Sequence, residues 1–340
     1  MYKTGVPEPS IAYAPKHYIC RRASGPLELD GRLNKPFWAD APWTDEFVDI
    51  EGDLKSRPSK RTRAKMLWDD DYFYFGVEME EDQIWATLTE RDSVIFHDND
   101  FEIFIDPDGD THQYYEFEIN ALNTVWDLFL VKPYRDGGPP LNGWDIAGLK
   151  TAVHIDGELN RPGAGNRGWS VEVAMPWVSL RECAPGGRAP LPGEFWRVNF
   201  SRVEWRAEAE DGSYRKVLNP DTGRPYPEDN WVWSPMGIVN MHYPELWGYV
   251  VFAGAEGLDS FEMPVDEIVK WELRRLYYRQ RNHYERHGAY SRDAGALMGD
   301  DEWTIVPEIE TTGRLFQMSA PSTDAKSIYY IREDGKLWRE

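Results

Sequence analysis

Apolar and polar residues alternate along most of the first 255 positions of this chain, with the two-residue period of a β-strand. The predicted strands are residues 63–68, 72–79, 100–105, 114–120, 151–155, 169–175, 196–205, 231–233 and 248–252. Acidic turns at residues 69–71 and 106–110 make two of the connections hairpins. Many short strands with turn-rich connections indicate an all-β fold, an antiparallel β-sandwich of the jelly-roll type.

Around Pro264 the pattern changes to helical spacing, with Ile268, Leu273 and Leu276 on one apolar stripe. We therefore predict a helix over residues 265–287 that packs on the sandwich through this stripe. Short strands of a β extension are predicted at residues 303–309, 315–319 and 327–331. The predicted domains are a sandwich over residues 1–255 and a helical and β extension over residues 256–340.

Composition and charge narrow the set of partners. The chain has 59 acidic and 38 basic residues, a formal net charge of −21. Nucleic acids and anionic membranes attract basic faces, so we expect neither as a partner. No apolar stretch approaches the ~20 residues that span a bilayer. The charge suits neutral glycans, cations such as Ca²⁺, or simple solubility. The 16 Trp and 18 Tyr residues supply rings for a core or for stacking on sugars.

The cysteines and the N-terminal residues indicate in which cellular compartment we expect the protein. Cys20 and Cys183 are the only cysteines, so zinc-binding spacing is absent, and one disulfide and two free thiols are both open. Residues 1–7 lack the apolar run of a signal peptide. The sequence predicts a cytoplasmic protein, or an extracytoplasmic one if a leader was removed. No P-loop, dinucleotide fingerprint or Ser-His-Asp arrangement is visible, so no organic cofactor is expected.

Six short motifs follow one another along the chain. They are LDGRL at residues 29–33 with FWADA at 37–41, LWDDDYFY at 67–74, DFEIFID at 100–106, GWSVE at 168–172 with PW at 176–177, WRVNF at 196–200 and WSP at 233–235. In this order they resemble the carbohydrate-binding modules of family 9 and their relatives among the DOMON-like sandwiches, over about residues 27–252. The resemblance implies a jelly-roll sandwich that binds sugars, with structural Ca²⁺ in some members.

The resemblance also implies where a ligand lies. In the family's characterised binders, one sugar ring is held between two Trp side chains from two loops. The corresponding positions here are Phe96 and residues 241–242, so the double-Trp clamp is not intact. We still expect the ligand near the loops at residues 96–99 and 241–245. Haem binding, as in other DOMON-like sandwiches, would need axial ligands such as Met241 and His242.

Strand parity defines a polar face. In the predicted hairpin, Phe101 and its alternates point one way, so Asp100, Glu102, Glu116, Glu118 and Asn120 share the other face. A simple turn sets Glu102 nearly opposite Glu118. Clustered carboxylates repel one another unless something compensates them. An arginine such as Arg197 or Arg202, a bound cation, or shared protons could do so.

Three roles for this face stay open: a solvated outer surface, a sugar-binding concave face and a catalytic site. Opposed residues on paired strands lie ~4.5–5.5 Å apart, which overlaps the ~5–5.5 Å between the carboxyl groups of retaining glycosidases. The loop at residues 106–110 alternates carboxylates around Gly109, and such oxygen-rich turns favour Ca²⁺, although it lacks the full EF-hand spacing and a plain hairpin loop is the alternative. Tyr134 lies on the Gly-rich loop beyond the hairpin and is a further candidate for the rim.

The predicted function is glycan binding in polysaccharide or oligosaccharide utilisation, and the alternative is a carbohydrate-active enzyme of glycosidase or lyase type. The predicted ligand-binding residues are Phe96, His97, Asn99, Glu102, Glu118, Asn120, Trp126, Arg135, Trp144, Arg202 and His242. If the protein is an enzyme, the catalytic candidates are Glu102, Glu118 and Glu116. The residues predicted to hold a structural Ca²⁺ are Asp106, Asp108 and Asp110. Neither the glycan nor the oligomeric state follows from the sequence.

Overall fold

The computed structural model describes residues 5–340 and contains short strands and few helices. The strands are β1 His17–Arg22, β2 Val48–Asp49, β3 Thr62–Trp68, β4 Tyr72–Glu80, β5 Asp100–Asp106, β6 Tyr114–Asn120, β7 Val125–Leu130, β8 Pro140–Leu141, β9 Lys150–Asp156, β10 Gly168–Pro176, β11 Phe195–Glu204, β12 Ala207–Glu210, β13 Ser213–Lys216, β14 Asp229–Val232, β15 Gly248–Phe252, β16 Glu308–Thr311, β17 Phe316–Pro321, β18 Ile328–Arg332 and β19 Leu337–Arg339. The α-helices are α1 Trp177–Leu180, α2 Asp266–His287 and α3 Ala294–Met298. None of these helices has the length and apolarity that crossing a bilayer requires, within residues 5–340.

Two β-layers face each other, and β1 joins them. One layer has the order β8-β7-β6-β5-β11-β15, with β14 and β2 added beside β11, and the other has the order β3-β4-β10-β9. β1 runs parallel to β15 through residues 17–20 and parallel to β3 through residues 21–22. The neighbouring strands within each layer are antiparallel. The antiparallel β-sandwich predicted from the sequence is confirmed.

The main core lies between the layers because alternate side chains of each strand point inward. The inward residues of two strands from opposite layers are Phe101, Ile103 and Ile105 of β5 and Phe73, Phe75 and Val77 of β4. Each such side chain stabilises the fold by roughly 1.5–3 kcal/mol through its burial. The same alternation turns the even-numbered positions of β5 and β6 away from this core.

A second core lies on the outer side of the β5–β6–β7 layer, under the C-terminal part of the chain. Tyr114 and Trp247 of the sandwich share it with Leu273 and Tyr277 of α2. The C-terminal helix and the short β extension, which is the sheet β16-β17-β18-β19, are confirmed. Ile268 does not join the packing stripe as predicted, because it is 37% exposed near the helix start. The domain boundary at residue 255 stays a prediction.

One strand prediction in the extension is wrong. Strand character was expected over residues 303–309, but β16 begins only at Glu308. The amides of Thr304 and Ile305 instead donate to the carboxylate of Glu272 on α2. These amides are therefore tied to the helix and are not available for a β-ladder. Cys20 and Cys183 are free thiols in this structure.

Candidate functional site

The β5–β6 hairpin pairs its acidic residues across the sheet. Glu102 lies opposite Glu118, Asp100 opposite Asn120 and Phe104 opposite Glu116. The next strand, β7, places Trp126 beside Glu118. The register expected from strand parity is confirmed, so three glutamates of two strands meet on one face with an indole at their side.

This face is not a solvated outer surface. Glu118 is 1% exposed, and Glu102 and Glu116 are each 5% exposed. The segment at residues 239–242 lies over the face and lines the same cavity as these glutamates. The interpretation of the polar face as a solvated surface is therefore wrong, because a loop from a distant part of the chain covers it.

The covered face forms a cleft of about 410 Å³. It brings together six of the residues predicted to bind a ligand or to act in catalysis, which are Phe96, Glu102, Glu116, Glu118, Trp126 and His242. Glu228 and Asn230, from the acidic segment that leads into β14, also line it, and so do Tyr134, Val239 and Asn240. Among the described residues that line the cleft there is no Lys or Arg. The cleft is therefore acidic and aromatic.

Several polar atoms of the cleft lack a partner within residues 5–340. One oxygen of Glu118, Oε2, accepts a hydrogen bond of 3.0 Å from the amide of Phe96. By contrast, Glu116 Oε2 and the indole Nε1 of Trp126 are buried and have no hydrogen-bond partner in the described chain. Buried polar groups are usually paired, so these atoms are free for a ligand or water.

Burial changes the ionisation of the glutamates. It raises the pKa of Glu102 to about 7, and the nearby Glu228 contributes to the increase. Burial also holds the pKa of Glu116 and of Glu118 well above its usual range, and the negative charge of Glu102 adds to both effects. Burial and repulsion between close carboxylates both disfavour the charged form, and so they raise the pKa of all three glutamates.

The mouth of the cleft carries aromatic side chains. Tyr134 is 45% exposed, and its ring meets the imidazole of His242 edge-on at a centroid distance of 4.5 Å. The Nδ1 atom of His242 lies 2.9 Å from the hydroxyl of Tyr114. Burial, helped by the charge of Arg135, lowers the pKa of His242 to about 3. His242 is therefore a neutral hydrogen-bonding group near pH 7.

Residues 29–191 match the family model described as carbohydrate family 9 binding domain-like. Over these residues the sandwich is similar to that family. The resemblance drawn from the motifs is thus confirmed over this range. No curated protein sequence matches the chain.

Solved structures that align with this chain include proteins named for carbohydrate binding. A candidate carbohydrate-binding protein from Bacteroides uniformis ATCC 8492 aligns with a TM-score of 0.50 at 15% identity, over 70% of this chain and 100% of its own. Two structures of a family 9 carbohydrate-binding module from Caldicellulosiruptor kristjanssonii contain cellotriose and glucose. Each aligns with a TM-score of 0.44 at 15% identity, over 73% of this chain and 100% of its own.

Two arginines predicted for the ligand site do not line the cleft. Arg202 follows Ser201, which pairs with Glu102, so its side chain points to the opposite face of β11. There it forms ion pairs of 2.8 Å with Glu81 and 3.0 Å with Glu204. Arg135 is also buried, and it donates from Nη2 to both carboxylate oxygens of Glu245.

Four other predicted ligand residues lie outside the cleft and do not line it. Trp144 stacks on Tyr115 on the inner face of the sandwich, with ring centroids 4.9 Å apart. His97 is exposed beside Phe96. Asn99 accepts the Trp205 amide and donates to Glu204. Asn120 accepts the amides of Leu122 and Thr124 and so shapes the turn between β6 and β7. Asn side chains often form such turns, which explains why Asn120 resembled a ligand residue.

The predicted calcium loop lies at the other end of β5. Asp106, Asp108 and Asp110 each offer a carboxylate oxygen within 4.8 Å of the others, a donor set that fits a hard cation. Asp106 already accepts the amides of Gly109 and Thr111, and Lys336 Nζ lies 3.1 Å from Asp110. Burial and the neighbouring carboxylates raise the pKa of Asp108 to about 6. The calcium prediction for this loop stays a prediction.

Proposed function

We propose that the protein binds a carbohydrate in the cleft above the β5–β6 hairpin. One observation supports this most: the two loops that the family resemblance designates, at Phe96 and at Met241–His242, both line one cavity over the polar face. The loops are about 145 residues apart in sequence, and only the fold brings them together. The cavity volume of about 410 Å³ lies within the ~300–1,000 Å³ range typical of ligand sites.

The chemistry of the cleft suits sugar hydroxyls. A hydroxyl both donates and accepts a hydrogen bond. Glu116 Oε2 offers an unpartnered acceptor and Trp126 Nε1 an unpartnered donor within the described chain, so a sugar could satisfy both. The rings of Trp126 and Tyr134 supply flat apolar surface for the C–H face of a pyranose. We assign this binding to polysaccharide or oligosaccharide utilisation.

A second candidate function is glycoside cleavage. The observation in its favour is the direct opposition of Glu102 and Glu118, with a carboxylate oxygen of each within 4.8 Å of the other. Retaining glycosidases hold their two carboxyl groups ~5–5.5 Å apart. A carboxyl group with a raised pKa can also act as a general acid. Binding and cleavage therefore need to be separated by experiment.

The experiment is a glycan panel assayed both for binding and for product release. For a binding protein, the panel should show saturable binding without release of shorter sugars, and Glu102→Gln should weaken binding. For an enzyme, Glu102→Gln or Glu118→Gln should leave binding nearly intact and lower turnover by ~10²-fold or more. His97→Ala is the matched control, because His97 is exposed and does not line the cleft. Binding that is lost only in the His97 variant, or no binding to any glycan, would count against the cleft.

A further inference from the structure

The acids of the cleft differ from several other buried acids of this protein in having no basic partner. Elsewhere, Glu172 pairs with Lys35 at 2.9 Å, Glu81 pairs with Arg202, and Asp136 pairs with Arg281 at 2.5 Å. The cleft is lined by four glutamates, Glu102, Glu116, Glu118 and Glu228, and no Lys or Arg is among the described residues that line it. Burying several carboxylates without a counter-charge is strongly unfavourable.

Neither of the arginines that could have supplied this counter-charge does so. Arg202 lies on the other face of β11 with Glu81 and Glu204. Arg197 sits opposite Asp106, at the far end of the strand, where its guanidinium donates to the main-chain oxygen of Glu245. Since no described Lys or Arg lines the cleft, a bound cation or protons would supply the counter-charge there.

The hairpin geometry suits a cation. Asp100, Glu102 and Glu118 each present a carboxylate oxygen, and these atoms all lie within 4.8 Å of one another. Asp100 is fully buried, and neither of its side-chain oxygens has a hydrogen-bond partner in residues 5–340. Glu116, on the same face, has a further unpartnered buried oxygen. Buried polar atoms are usually paired, so these unpartnered oxygens of Asp100 and Glu116 indicate that a ligand or water completes the site.

We propose that Asp100, Glu102 and Glu118 bind a Ca²⁺ ion where Glu102 and Glu118 line the cleft, with Asp100 buried behind them, and that this ion contributes to carbohydrate binding. Ca²⁺ takes six to eight oxygen ligands in flexible geometry. Three carboxylates fill part of that shell, and the open cleft leaves the remaining positions for water or a pair of sugar hydroxyls. The sugar part of this inference rests on the proposed function, whereas the metal site does not.

The first arm of the test measures Ca²⁺ alone. Full-length protein is freed of metal with a chelator, dialysed and titrated with CaCl₂ in a calorimeter. The background variant is Asp108→Asn, which removes a carboxylate from the separate loop at residues 106–110 and leaves the cleft unchanged. On this background Ca²⁺ binding should persist. Adding Asp100→Asn should weaken it by at least about tenfold, the scale on which metal sites respond to loss of supporting groups.

A second cleft substitution guards against a folding artefact. Glu118→Gln, on the same background, should also weaken Ca²⁺ binding, and the melting temperature in chelator should stay at or above that of the background variant, because a buried uncompensated charge is removed. No Ca²⁺ binding by the Asp108→Asn protein, or identical binding with and without both cleft substitutions, would overturn the metal site.

The second arm adds a glycan found in the panel. Its affinity should fall at least about tenfold in chelator and recover when CaCl₂ is restored, a change equal to ~1.4 kcal/mol. Unchanged affinity in chelator would overturn the role of the ion in sugar binding and leave the proposed function standing. Ca²⁺ binding that depends on Asp100, with no glycan bound, would support the metal site and count against the proposed function.

Discussion

Two regions of this protein bury carboxylates, but only one of them pairs these carboxylates with arginines. Where α2 packs on the sandwich, Glu245 accepts from Arg135 at 2.7 Å and from the hydroxyl of Tyr278. Burial opposes ionisation there, but Arg135 and Arg274 hold the pKa of Glu245 below its usual range. In the cleft, burial and neighbouring acids raise the pKa of Glu118 well above its usual range.

The difference identifies which acids stabilise the fold. A buried ion pair that is satisfied on both sides fixes how two elements pack, and removing one partner leaves an uncompensated charge. A buried acid without a partner lowers stability and is retained where a ligand compensates it. Glu245 therefore belongs to the packing of α2, and the glutamates of the cleft fit the proposed binding site.

The largest expected effect comes from breaking the paired region. Glu245→Gln would leave Arg135 and Arg274 buried without their carboxylate, so the free energy of unfolding should fall by ~3–5 kcal/mol. Urea denaturation monitored by Trp fluorescence measures it. The matched control is Glu116→Gln in the cleft, where removal of an unpaired charge should leave stability unchanged or increase it. Equal losses in both variants would contradict the distinction between the two regions.

The next effect concerns the cleft and its ligand. Trp126→Ala removes the ring beside Glu118, and the affinity for a bound glycan should fall by ~1–2 kcal/mol, the scale of a lost aromatic contact. Titration calorimetry with a glycan from the panel measures the change. Trp338→Ala, in the β extension, is the control and should leave affinity unaltered. A wild-type affinity for the Trp126 variant would place the ligand elsewhere.

Short-range patterns predicted most of the sandwich and the floor of the site. Alternation along β5 and β6 has a fixed period, so it determined which acids share a face and that Glu102 meets Glu118. The same rule could have excluded Arg202 from the polar face. Ser201 pairs with Glu102, so the next residue, Arg202, points to the opposite face of the sheet. β7 was not predicted as a strand, since Val125–Leu130 is mostly buried and lacks clear alternation.

Long-range packing could not be predicted in this way. Nothing local to Glu118 shows that residues 239–242 cover it, or that Glu228 and Asn230 join the same cleft. Arg135 looked like a rim residue on a Gly-rich loop, yet its partner Glu245 is 110 positions away. Burial of a charged residue depends on such distant partners, so a sequence pattern cannot separate a ligand-binding arginine from a structural one.

A smaller effect is expected from the ion pair of Asp334 in the β extension, and the pH dependence of stability tests it. Burial alone would raise the pKa of Asp334, but two hydrogen bonds from Arg332 and the imidazole of His112, 3.5 Å away, hold that pKa well below its usual range. A lowered carboxyl pKa contributes stability above the unfolded value of ~4, and that stability is lost as pH falls below it. The wild type should therefore exceed Asp334→Asn by on the order of 1 kcal/mol at pH 6, and the gap should close towards pH 3. A gap that is constant with pH would show that Asp334 acts through packing and not through charge.

The smallest expected effect separates the calcium loop from the cleft. Asp106 and Asp108 resemble the cleft acids because burial raises the pKa of each, but Lys336 partly neutralises this group through Asp110. An ion bound only by the native loop must raise stability. In the Asp100→Asn background, which lacks the cleft site, chelation should lower the melting temperature by ~2–4 °C, equivalent to ~1 kcal/mol. The Asp100→Asn, Asp108→Asn double variant should not respond to chelator. If the single variant is equally unresponsive, the loop is an ordinary hairpin turn held by the amides of Gly109 and Thr111.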